Sequence, residues 1–163
     1  MSEESTMNEE NPLVIIIEDD ADVRNALADG LSMLGFRTLE ACDGKSGVEA
    51  AWREQPDAVL MDVCMPGMDG WQTTALIREY PGLQSVPIIF VSGSSEARTR
   101  YFNSPPFNSS FVPKPFSMRF LDTLLRAFIR LRSGTGGDGL ALPKAWEGKT
   151  GSSREWGRRD GLN

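Results

Sequence analysis

Five short runs of β-branched, aliphatic and aromatic residues recur along the chain and alternate with segments of helical periodicity. These runs occupy residues 13–17, 36–41, 57–61, 87–91 and 110–113. Their near-continuous hydrophobicity is typical of strands that are covered on both faces, and the alternation with helices is typical of an α/β fold. The pattern therefore predicts a doubly wound, five-stranded parallel sheet with a helix after each strand.

The helical segments differ in how clearly they are marked. One apolar face is formed by Val23, Leu27 and Leu31, and residues 120–128 form a second, so the first and last helices are well defined. Asp69-Gly70 follows a turn signal and opens the third helix, and Ser117 can cap the last one. Prolines and asparagines at 103–108 interrupt the region of the fourth helix, which predicts that this helix is short.

Composition changes at both ends of the chain. Residues 1–12 are acidic and polar, and residues 133–163 are rich in Gly, Ser and charge. We therefore expect a disordered acidic tail, one domain over 13–132, and a flexible, disordered C-terminal tail. Because that tail lacks helix-turn-helix periodicity, a single-domain protein is expected.

Several function classes conflict with the composition. The 163 residues include no histidine, which excludes Ser-His-Asp and Cys-His triads, imidazole metal ligation and a phosphohistidine donor. The net charge of -6 argues against direct binding to nucleic acid. The longest aliphatic run, 13–17, is too short to span a membrane, and the acidic N-terminus is unlike a signal peptide, so a cytoplasmic protein is predicted.

Carboxylates follow two of the predicted strands. Glu18, Asp19 and Asp20 come after the first run, and Asp62 comes after the third. If these strands are neighbours, the carboxylates converge at the sheet edge where open α/β folds bind ligands. Converging carboxylates repel one another unless they are protonated or bind a cation, and Mg²⁺ suits such oxygen ligands. The sequence therefore predicts a magnesium site at this edge.

Two further polar side chains should reach the same edge, since Ser92 ends the fourth run and Lys114 follows the fifth. An aspartate can act as a nucleophile towards phosphorus and form an acyl phosphate. Such a transfer depends on positioning and on neutralising the phosphoryl oxygens, which Mg²⁺, Ser92 and Lys114 could supply to Asp62.

Four motifs occur in a fixed order: IIIEDD (15–20), VLMDVCMPGMDG (59–70), PIIFVSG (87–93) and FVPKPF (111–116). In this order and spacing, residues 12–132 resemble the receiver domains of bacterial two-component response regulators, in a single-domain form like the chemotaxis regulators. The resemblance implies a flavodoxin-like sheet of order 2-1-3-4-5 with five helices. Gly93, where a small residue such as Ala is usual, and the irregular segment 103–108 depart from the family pattern.

The resemblance also assigns roles to positions of this chain. Asp62 matches the phosphoacceptor, Asp19 a direct metal ligand, and Glu18 a ligand that reaches the metal through water. Cys64 would offer its backbone carbonyl to the metal. Ser92 and Lys114 would contact the phosphoryl group.

Two more positions match features of the family's switch. Phe111 lies where the family has its aromatic switch residue, and Pro115 should follow a cis peptide bond. The implied function is a signalling switch rather than an enzyme, one that catalyses only its own phosphoryl uptake and loss. Its partners would be a sensor histidine kinase or phosphotransfer protein and an unidentified output protein, with no membrane involved.

Three other functions compete with this interpretation. The first is a pseudo-receiver that binds proteins without phosphorylation, although no acceptor, acidic ligand or lysine is lost here. The second is an aspartate-nucleophile phosphatase, which would usually have a second Asp where Cys64 stands. The third is flavin binding, for which Glu18 and Asp19 occupy the place of a neutral phosphate-binding loop.

Overall fold

The computed structural model describes residues 11–134. Along the chain the elements are β1 (Leu13–Ile17), α1 (Ala21–Met33), β2 (Arg37–Ala41), α2 (Gly44–Glu54), β3 (Ala58–Asp62), α3 (Gly70–Glu79), β4 (Ile88–Ser92), α4 (Ser95–Asn103), β5 (Ser109–Pro113) and α5 (Met118–Arg132). The predicted tails lie outside the described residues over 1–10 and 135–163. Of the helices within 11–134, none is both long and apolar enough to cross a membrane.

The five strands form one parallel sheet in the order β2-β1-β3-β4-β5, which confirms the predicted topology. Every residue of β1, β3 and β4 is buried, as expected for strands that are covered on both faces. β3 and β4 end one residue later than the sequence indicates, because Asp62 still pairs with Val91 in the sheet. Asp62 and Ser92 are therefore the last residues of their strands.

Alternating residues of the strands belong to two separate hydrophobic cores, one on each face of the sheet. The core on the side of α2, α3 and α4 includes Ile15, Ile17, Met61, Phe90, Tyr101 and Phe111. The core on the side of α1 and α5 includes Val14, Ile16, Leu60, Val91, Val112 and Leu124. Each fully buried aliphatic side chain contributes about 1.5 to 3 kcal/mol by leaving water. This burial on both faces fixes the strand ends that carry the polar residues.

Each helix starts at a residue that caps it. Asp20 accepts hydrogen bonds from the backbone N–H groups of Asp22 and Val23, and Ser117 accepts one from Phe120. Asp69 forms a reciprocal capping box with Gln72 at the start of α3. The predicted caps of α3 and α5 are confirmed. The caps of α1 and α5 follow the preceding strand ends closely, whereas residues 63–69 form a longer connection between β3 and α3.

α4 is short, as predicted, with nine residues of which only Ala97 and Tyr101 are buried. The irregular segment after it is held by Arg78, at the end of α3. The Arg78 guanidinium donates hydrogen bonds to the carbonyl oxygens of Leu83 at 3.0 Å, Val86 at 2.5 Å and Phe107 at 2.7 Å. Burial lowers the pKa of Arg78 to about 10. The loop therefore keeps a defined path without helical structure.

Candidate functional site

Three carboxylates meet at the C-terminal edge of the sheet. Glu18 follows β1 and is 3% exposed, Asp62 ends β3 and is 7% exposed, and Asp19 is exposed to solvent. One oxygen of each carboxylate lies within 4.8 Å of those of the other two. The structure thus brings together the three residues predicted to bind a metal through their side chains. Asp20 does not belong to this group, and its carboxylate caps α1.

Glu18 is fixed in place from several directions. Its Oε1 accepts a hydrogen bond of 3.1 Å from the backbone N–H of Asp20, and its Oε2 lies 3.3 Å from Lys114 Nζ. Its own N–H donates to the Ala41 carbonyl at 3.1 Å, and its carbonyl accepts a hydrogen bond of 2.8 Å from Arg24 Nη1. The lysine thus pairs with Glu18 in this structure, and both ends of the Glu18 residue are held.

The electrostatics of the cluster favour a bound cation. Burial, followed by the negative charge of Glu18, raises the pKa of Asp62 from 3.8 to about 7, although Lys114 and the Cys64 N–H act in the opposite direction. One cation from the protein therefore does not balance the carboxylates. A divalent ion with oxygen ligands would remove this repulsion, so the donor set fits the predicted Mg²⁺.

Ser92 lies across the site from the carboxylates, at the end of β4. Its Oγ accepts a hydrogen bond of 3.1 Å from the Ser94 N–H and lies 3.8 Å from Cys64 Sγ. The Cys64 N–H in turn lies 3.4 Å from Asp62 Oδ1. The hydroxyl is thus near the loop that follows Asp62. The assignment of the Cys64 carbonyl as a metal ligand stays a prediction.

The two remaining predicted residues connect the site to β5. The Lys114–Pro115 peptide bond is cis, and the Lys114 N–H donates to the Ser92 carbonyl at 3.0 Å. Phe111 is buried at 5% exposure, with its ring centroid 5.5 Å from that of Tyr101 on α4. The aromatic residue of β5 therefore faces α4 rather than solvent.

Sequence reasoning does not identify three residues that contact the site or its surroundings, namely Arg24, Glu40 and Tyr101. Arg24 joins the acidic loop to Glu40 on β2, at 3.4 Å from Nε to Oε1. Tyr101 donates its hydroxyl hydrogen to the Ser109 carbonyl at 2.9 Å. The position of Arg24, four residues after the cap Asp20, only weakly indicates that it lies near the acidic loop. Its contact with Glu40 depends on tertiary packing, which the sequence does not show.

Comparison with known proteins gives a consistent result. Residues 14–126 match the family model described as the response regulator receiver domain. The chain is 33% identical over 120 residues to the transcriptional activator protein PfeR of Pseudomonas aeruginosa, covering 74% of this chain and 38% of PfeR. It is 32% identical over 117 residues to the probable transcriptional regulator ycf27 of Guillardia theta, covering 72% of this chain and 45% of ycf27. The chain thus spans less than half the length of these two curated relatives.

A solved structure is also similar. The receiver domain of the sensor histidine kinase PA1611 from Pseudomonas aeruginosa PAO1 superposes with a TM-score of 0.67 at 28% sequence identity. The match covers 73% of this chain and 98% of that domain, whose crystal structure has a magnesium ion coordinated in the active site cleft.

Proposed function

The chain belongs to the response regulator receiver domain family, and we propose on that premise that it is a signalling switch that accepts a phosphoryl group on Asp62. The observation that carries the proposal is the surroundings of this carboxylate. Asp62 ends a central strand and shares its site with Glu18 and Asp19. A hydroxyl ends the neighbouring strand β4, and an ammonium group follows β5, the next strand in the sheet. Nucleophile, cation ligands and phosphoryl-binding groups thus converge at one edge.

Magnesium is part of this proposal. Asp19 and Asp62 would bind it directly, Glu18 through water, and Cys64 through its carbonyl. When bound, the ion supplies positive charge to the oxygens of the phosphoryl group. The clustering of the three carboxylates supports the assignment, as does the magnesium ion in the similar receiver domain of PA1611.

The chain's own residues would divide the remaining work. An ionised Asp62 oxygen attacks phosphorus, so that an O–P bond forms while the bond from phosphorus to the donor's histidine nitrogen breaks. A pKa of about 7 leaves a substantial ionised fraction of Asp62 at neutral pH even without a cation. Lys114 exchanges its contact with Glu18 for a phosphoryl oxygen, and the Ser92 hydroxyl donates to another oxygen.

The output of the switch would be a change in partner binding near α4. This helix has only two buried residues, Ala97 and Tyr101, and Tyr101 packs on Phe111. A shift of Ser92 towards the phosphoryl group would disturb this weakly anchored helix and change the relative populations of its conformations. We propose that the protein acts in the cytoplasm, with a sensor histidine kinase or a histidine phosphotransfer protein as the donor. Its direct output partner would be another protein, not nucleic acid.

The test is the mass of the intact protein after incubation with acetyl phosphate and Mg²⁺. We expect one metal-dependent phosphoryl adduct in the native chain, which disappears with EDTA and in Asp62→Asn. Asp29→Asn, on the exposed face of α1, is the matched control and should still be modified. If neither acetyl phosphate nor a panel of phosphorylated histidine kinases gives an adduct, the chain acts as a phosphorylation-independent binding module instead.

A further inference from the structure

The peptide of Glu18 is held against β2 by two contacts on opposite sides. Its N–H donates to the Ala41 carbonyl at 3.1 Å. Its carbonyl oxygen accepts a hydrogen bond of 2.8 Å from Arg24 Nη1. The Arg24 Nε lies 3.4 Å from Glu40 Oε1, so the guanidinium links the loop back to the same strand. The loop that begins the acidic cluster is therefore attached to an edge strand rather than only to its own helix.

The burial of Arg24 and its second contact make the link more than a surface ion pair, although Glu40 is exposed. The Arg24 side chain is 17% exposed and that of Glu40 is 40% exposed. An exposed ion pair alone would contribute little. A planar guanidinium that hydrogen-bonds a carbonyl and is also paired with a carboxylate is restrained on both sides, however, since its donors have a rigid geometry. Arg24 thus limits how far the Glu18 peptide can move.

We propose that Arg24 is a positioning residue for the metal-binding loop, whose guanidinium holds the Glu18 peptide against β2 and thereby raises the affinity of the acidic cluster for Mg²⁺. This inference rests on the proposed function, because it requires Glu18, Asp19 and Asp62 to bind the ion. Partners behind metal ligands commonly change metal affinity by about 10- to 100-fold when they are removed. Because Arg24 acts through the backbone of Glu18, we expect an effect of about tenfold, at the lower end of that range.

Charge alone predicts the opposite change in Mg²⁺ affinity when Arg24 is replaced. Arg24 is a cation beside a site that attracts a cation, so removing its charge should strengthen Mg²⁺ binding if electrostatics dominate. Positioning predicts weaker binding after the same change. The direction of the affinity change therefore distinguishes the two interpretations.

The experiment is a titration of the full chain with MgCl₂ alone, followed by the amide NMR shifts of Asp19 and Asp62, without any phosphoryl donor. Arg24→Met keeps the aliphatic stem and should raise the dissociation constant about tenfold. Arg37→Met is the matched control, since it removes an equal charge from the exposed first residue of β2. We expect this control to leave the dissociation constant unchanged or slightly lower it.

A second readout concerns the metal-free protein. If Arg24 holds the loop, the Glu18 amide should exchange with solvent faster in Arg24→Met than in the native chain, while amides in the middle of α5 keep their exchange rates. A purely global loss of stability would accelerate both groups. Arg24→Lys keeps the charge and can donate to one of the two acceptors, so its Mg²⁺ affinity should be intermediate.

The outcomes separate the inference from the proposed function. If the native chain binds no Mg²⁺, the proposed metal site itself is wrong and the role of Arg24 falls with it. If the native chain binds Mg²⁺ and Arg24→Met binds it equally or more tightly, the site stands and the positioning role is refuted. If Arg24→Met does not fold, unchanged affinity in Arg24→Lys refutes the role in the same way.

Discussion

Replacing Asp62 with Asn should stabilise the metal-free chain, and the gain should depend on pH. In the folded chain the pKa of Asp62 is raised from 3.8 to about 7, chiefly by burial and then by Glu18. The ionised carboxylate therefore opposes folding, whereas an amide of nearly the same size carries no charge. The variant loses the proposed nucleophile but also loses this repulsion.

The magnitude follows from the size of the shift. About three pKa units correspond to about 4 kcal/mol at about 1.4 kcal/mol per unit, which is an upper bound. Two effects make the gain in stability smaller than this bound. The site is open to solvent beside the exposed Asp19, which screens the charge, and Asn still buries a polar group in the same place. We expect Asp62→Asn to raise the free energy of unfolding by about 1 to 2 kcal/mol at pH 8 in EDTA.

The sign of the pH dependence follows from proton binding. Between pH 3.8 and about 7 the unfolded chain loses the Asp62 proton before the folded chain does. Rising pH therefore destabilises the native protein across this window and has no further effect through Asp62 above it. The stability difference between Asp62→Asn and the native chain should be small near pH 4, grow towards pH 7 and then stay constant.

Urea unfolding followed by circular dichroism at pH 4.5, 6 and 8 in EDTA would measure this difference. Asp29→Asn should show no comparable pH-dependent gain. Excess Mg²⁺ at pH 8 should reduce the advantage of Asp62→Asn, because the native cluster then binds the ion. An equal difference at pH 4.5 and pH 8 would refute the electrostatic reasoning, since it would show that Asn stabilises the fold by some other means.

Three further predictions concern the scaffold. Leu124→Ala should lower the free energy of unfolding by about 2 to 5 kcal/mol in urea titrations because Leu124 is fully buried, while Leu131→Ala on the exposed face should change it by less than about 0.5 kcal/mol. Asp69→Ala removes the capping box of α3 and should cost about 1 kcal/mol in the same assay; no loss would mean that water replaces the cap. Gly70→Ala places a Cβ 2.7 Å from the Asp62 carbonyl oxygen, so it should lower thermal stability and slow phosphorylation by acetyl phosphate. Phosphorylation at the native rate would show that the end of β3 can shift to accommodate the methyl group.

The strand order was predictable from the resemblance to receiver domains, whereas the grouping of polar residues at one edge was predictable from where the strands end. The apolar runs of β1, β3 and β4 are unambiguous, and parallel strands bring their last residues to one edge, which placed Glu18, Asp62 and Ser92 together. Each strand after β1 differs from its predicted range by one residue at one or both ends, and the start of β2 shows a physical reason. Phe36 was assigned to the strand, but its N–H donates to the Leu31 carbonyl and closes the end of α1.

It was harder to predict which contacts the site residues make than to predict which residues form the site. Lys114 was expected near Asp62, and in this structure it pairs with Glu18 at 3.3 Å. That choice depends on side-chain conformations and on the charges present, which sequence order does not determine. The same holds for Arg24, whose contact with Glu40 requires the packing of α1 against β2.

The alternation of side chains along the strands also separates the hydrophobic residues on the two faces of the sheet. Phe90, Tyr101 and Phe111 belong to the core beneath α2, α3 and α4, whereas Val91 and Val112 belong to the core with α5. If phosphorylation displaces Phe111 as proposed, the displaced side chain lies in the first of these cores and not in the second. We therefore expect phosphorylation to change the surface at α4 more than the surface formed by α1 and α5, which would leave the second surface available for another contact.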